Sequence, residues 1–108
     1  MDKKEFFDFL DTRKTAVMAE AKALADDNRK DESNILKAKA NIYDIFKAMY
    51  GACERDGAVT KDSLCAVAER IYSPWEKSLA AAQEHGDTAK VLIEEAKLSA
   101  VKEVIDWL

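Results

Sequence analysis

A chain of 108 residues with a net charge of −4 has room for one domain, 1–108, and one hydrophobic core. Three Gly and one Pro, against plentiful Ala, Lys, Glu, Leu and Asp, favour helices and argue against a sheet protein. Charges of both signs are interspersed and no segment is strongly basic, so the electrostatic footprint of a nucleic-acid binder is missing. No apolar stretch approaches the length of a membrane span.

The first segment opens on "MDKKEFFDFLDTRK", whose apolar run is broken by Asp8 and falls short of an export signal. With two cysteines and no such signal, the reading is a cytoplasmic protein with reduced thiols. Phe6, Leu10, Val17, Ala21 and Leu24 recur at helical spacing, and Phe7, Phe9 and Met18 widen the stripe. Asp2 is placed to cap this helix, with Glu5 three residues on. The polar run "DDNRKDESN" ends it near residue 27, and Asp31 or Ser33 is the expected cap of the next.

The second segment is the most apolar. Ile35, Ala38, Ile42, Ile45, Phe46, Met49 and Cys53 form its stripe, flanked by Leu36, Ala40, Tyr43 and Tyr50. A face this wide predicts a deeply buried helix that touches two neighbours. Gly51 inside it predicts close approach of another helix, and Gly57 predicts its end.

The turn "CERDGAVTKDSLC", residues 53–65, resembles in its centre the back half of a calcium loop. With Gly57 at the loop's glycine, Asp56 fits, but Ala52 and Ser63 fall where calcium needs its first carboxylate and its bidentate Glu. A plain turn explains the same residues: Gly57 stops one helix, Val59 plugs the gap, and Thr60 or Asp62 caps the next. Cys53 and Cys65 stand six residues either side of Val59, so they are a candidate redox pair as well as packing thiols.

In the third segment Leu64, Ala68, Ile71, Trp75, Leu79 and Ala82 keep helical phase across Pro74. "SPWE" is also a helix-start pattern, with Ser73 as cap, so a kink or one-turn break is expected at Ser73–Pro74. "EHGD" follows: Gly86 closes one helix and Asp87 caps the fourth. His85, the only histidine, is read as a helix-end residue. A di-iron bundle needs two Glu-x-x-His motifs, and here Ala82 stands three residues before the one His.

The fourth stripe is Val91, Leu98, Val101, Ile105 and Leu108. Ile93, Val104 and Trp107 are left toward a flank and are the candidate interface. Glu94 and Glu95 interrupt the stripe, and Arg13 interrupts the first, which makes these three a candidate polar pocket. The whole describes an all-α, antiparallel up-down four-helix bundle. With no triad, no phosphate-cradling glycine loop and no metal-ligand set, the expectation is a non-enzymatic interaction module without cofactor. Its expected partner is a second copy or another helical protein. The alternative is a ligand-binding or enzymatic bundle built on Glu94 or Glu95 with a basic residue.

Overall fold

The computed structural model describes residues 1–108 and contains four helices: α1 (Lys3–Asp26), α2 (Lys30–Arg55), α3 (Lys61–Glu84) and α4 (Thr88–Trp107). Their ends follow from local chemistry. Asp2 accepts a hydrogen bond from the Glu5 N–H at 3.1 Å, and Asp87 does the same for Lys90 at 3.2 Å. Thr60 and Ser63 form a reciprocal capping box at the start of α3.

Two helices stop in matching fashion. At the end of α3, Gly86 takes φ +70°, its N–H reaches the Gln83 carbonyl, and the Asp87 N–H reaches Ala82. At the end of α1, Asn28 takes φ +59°, its N–H reaches Ala25, and the Arg29 N–H reaches Leu24. Both are the left-handed stop that Gly adopts most easily and Asn next. Neither Asp31 nor Ser33 caps α2. Arg29 occupies that position, and its side chain makes no capping bond. Ser33 is instead buried one turn inside, where its hydroxyl donates to the Ala21 carbonyl at 2.7 Å and ties α2 to α1.

α3 runs from Lys61 to Glu84 as one helix with Pro74 inside it, so the expected one-turn break is not there and Ser73 caps nothing. The helical phase of the apolar residues prevails over the start pattern. The missing N–H of Pro74 costs the bond to Arg70, but Pro74 is exposed, so the ring needs no room in the core.

α2 is the most buried helix and packs against each of the other three, one more than its stripe predicts. Lys3 pairs with Glu54, Lys14 with Asp44 and Asp11 with Lys47, which fixes α1 and α2 in opposite directions. The core is aromatic at one end. Phe6, fully buried, meets Phe46 edge-on with ring centroids 6.5 Å apart, Tyr50 at 5.9 Å and Trp107 at 5.7 Å. Gly51 does not mark close approach: a Cβ built there meets nothing within 4 Å.

The molecule is flat, 44 × 32 × 20 Å, with a radius of gyration of 14.9 Å. A compact chain of this length has about 13 Å. The thin dimension is two helix diameters.

Candidate functional site

α3 and α4 pack together, joined by the turn at His85–Asp87, and Lys97 of α4 lies over the Trp75 ring of α3 at 4.3 Å. On one side of this pair a groove of about 330 Å³ opens to solvent. Tyr72 and Glu76 form its α3 wall; Leu98, Val101, Lys102 and Ile105 form its α4 wall. Four of the six are apolar, and Glu76 and Lys102 stand exposed at the rims, neither in an ion pair. Burial, with the charges of Glu69 and Glu76 beside it, pushes the Tyr72 hydroxyl above its ordinary pKa.

A second polar feature joins three helices. Arg13 of α1 grips Glu103 of α4 with two hydrogen bonds, at 2.8 and 3.3 Å, and the Tyr43 hydroxyl of α2 donates to the same carboxylate at 3.0 Å. Burial pushes the Tyr43 hydroxyl up to about 12, helped by its bond to Glu103. Burial alone would raise the Glu103 carboxyl, but the bonds from Arg13 and Tyr43 together outweigh it and hold the carboxyl below its ordinary value. Both carboxylate oxygens of Glu103 accept a hydrogen bond, and the cluster fastens α1 to α4 over α2.

Arg13, Glu94 and Glu95 do not meet. Arg13 is engaged by Glu103, nine residues and about 13 Å along α4 from Glu94. Glu95 is exposed. Glu94 is buried, with Oε1 3.4 Å from Lys97 and Oε2 without any hydrogen-bond partner. Its basic neighbour is thus on its own helix, held over Trp75, rather than across the bundle.

Cys53 and Cys65 are both free. Cys53 is buried and its thiol points at the Ser63 carbonyl, 3.8 Å away. It shares a shallow recess with Ser63, Ala66, Val67 and Arg70. Cys65 lies about 160° around α3 from Ser63, on the Tyr72 side. Cys53 of α2 thus meets the Ser63 side of α3, while Cys65 lies on the other side of that helix. In the turn between them Gly57 has φ +126° and Val59 is buried, as the plain-turn reading expects. No group of three or more His, Cys, Asp or Glu is placed to hold a metal ion. His85 is exposed at the C-cap of α3.

The flank of α4 needs the largest correction. Val104, expected at an interface, is fully buried within the chain. Ile93 is half-buried. Trp107 stacks on Phe9 of α1 at 4.7 Å with the rings 12° from parallel, which leaves 42% of it exposed. The buried face of α4 is centred on Ala100, Val101 and Val104, with Glu94 two turns earlier. Leu98 and Ile105, expected to face the bundle, are half-buried and line the groove, and Ile105 also packs against the core.

Tyr72, Glu76, Lys102 and Glu103 escape a reading by apolar periodicity because three are charged and Tyr72 lies beside its stripe. No helix is long and apolar enough to cross a membrane. No known family matches the chain, and no curated protein or solved structure matches it.

Proposed function

We propose that this chain is a non-enzymatic helical interaction module that self-associates, with the α3–α4 face as its docking surface. The incomplete cover of α3 carries the reading. Ile71, Tyr72, Trp75 and Leu79 all remain half-buried in the middle of the helix, and its fully buried residues are only Leu64, Ala68 and Ala82. The accessible surface is 6611 Å² for 12.1 kDa. A compact monomer of that mass exposes about 6,000 Å², so the excess is roughly 600 Å². One partner in a standard interface contributes about 800 Å². Twofold pairing is the commonest way to cover such a face.

Sedimentation equilibrium over a concentration series tests this. The expected mass rises toward twice 12.1 kDa at tens of micromolar. A chain that stays at 12.1 kDa throughout ends the reading.

A second reading, a ligand-binding bundle, draws on the buried and unpartnered Oε2 of Glu94 beside Lys97. A small cationic donor is the chemistry that oxygen would accept. Methylammonium should then raise the melting temperature of the wild type and not of Glu94→Gln; equal response of both removes this reading.

A further inference from the structure

Among the residues that line the α3–α4 groove, Glu76 on the α3 wall and Lys102 on the α4 wall carry opposite charge. Glu69 and Glu76 flank Tyr72 on α3, and both act on its hydroxyl. Lys102 stands on the α4 wall. Glu69, Glu76 and Lys102 are all exposed, and none takes part in an ion pair within the chain. The contact of Lys97 on Trp75 fixes how far α4 runs past α3. At that register Lys102 is level with the turn of α3 that holds Glu69.

A twofold axis laid along the groove carries each copy's α3 over the other's α4 without changing level. Glu69 of one copy then faces Lys102 of the other, twice by symmetry, and Glu76 lies about 10 Å further along the same wall. Tyr72, Leu98 and Ile105 of the two copies close on one another between these charges. Resting on the self-association proposed above, we infer that the occupant of this groove is a second copy of the chain, held in register by Glu69 against Lys102, with Glu76 extending the acidic wall. The match is isologous, as a closed dimer requires. Opposed charges at a rim contribute register and partner choice more than raw affinity.

Two charge-reversed chains test it: Glu69→Lys with Glu76→Lys, and Lys102→Glu. All three positions are exposed, and far-UV circular dichroism with thermal melting checks that each variant folds. Each variant alone should dimerise about tenfold or more weakly than the wild type, from like charges set face to face. The first variant brings the net charge from −4 to neutral. Relief of general repulsion would strengthen its dimer, so a weaker one speaks for the specific pairing. Mixing the two variants should restore dimers of one chain of each kind, because every lysine then meets a glutamate. Wild-type dimers whose affinity neither variant changes would overturn the groove assignment and leave self-association standing. A monomeric wild type would remove both.

Discussion

Gly51 has no neighbour that a methyl group would strike. It sits inside α2, where glycine costs about 1 kcal/mol relative to alanine. Gly51→Ala should therefore stabilise the chain by about 0.5–1 kcal/mol, read as a higher urea midpoint at unchanged slope. Tyr43 makes a pH prediction. Its hydroxyl ionises near 10 in an unfolded chain and at about 12 here. A raised value means the fold favours the neutral form. The contribution is complete below pH 10 and is lost as pH rises toward 12. Tyr43→Phe should cost about 1 kcal/mol at neutral pH, through the bond to Glu103. It should also flatten the alkaline fall in stability relative to wild type. Glu103 works at the other end. Its lowered value gives stability above the ordinary carboxylate range, which is lost as pH falls through the folded value. Denaturant titrations across pH measure both.

Among the elements, α3 is held least. Pro74 interrupts its hydrogen-bond ladder without breaking it, and the ring faces solvent. Pro74→Ala restores the bond to Arg70 and should stabilise by about 1–3 kcal/mol, seen as a rise in melting temperature. A large loss of stability on that change would show that a bend at Pro74 fits α3 to its neighbours. Four helices and most of their ends were legible in the sequence, because Asp2, Thr60, Gly86 and Asp87 act on backbone groups a few residues away. The end of α1 at Asn28 was not singled out, since Asn ranks behind Gly at a left-handed stop. Periodicity gave the apolar stripe of each helix but not its rotation. On α4 the stripe is so wide that Leu98 and Ile105 compete with Val104 for the core, and only the position of α1 and α2 decides it. The polar contacts were hidden for a similar reason: Arg13 and Glu103 are ninety residues apart, and nothing local to either names the other.

At the scale of the whole molecule, α2 is the centre and the layer is only two helices thick. That leaves α4 with two different apolar margins. One is closed by Phe6 and Phe9 under Trp107; the other is the open groove. The two margins should respond differently. Trp107→Ala loses two ring contacts within one chain and should lower folding stability by about 1–3 kcal/mol. Its dimer constant, measured where the variant is fully folded, should stay within about threefold of the wild type, since the groove lies elsewhere. A variant that dissociates without melting earlier would move the interface to the Trp107 margin.

The α1–α2 hairpin has an order in time as well as in space. Its helices are joined across only Asp27, Asn28 and Arg29, so closing it costs little chain entropy. It already holds Phe6, Phe46 and Tyr50 together, with the Ser33 bond to Ala21 and three ion pairs between its helices. A ribosome makes all of this before it makes α4. For the seconds between, Phe6 and Phe9 lack the Trp107 ring that later lies over them. The growing chain thus carries a half-made aromatic cluster, covered only when the final helix arrives.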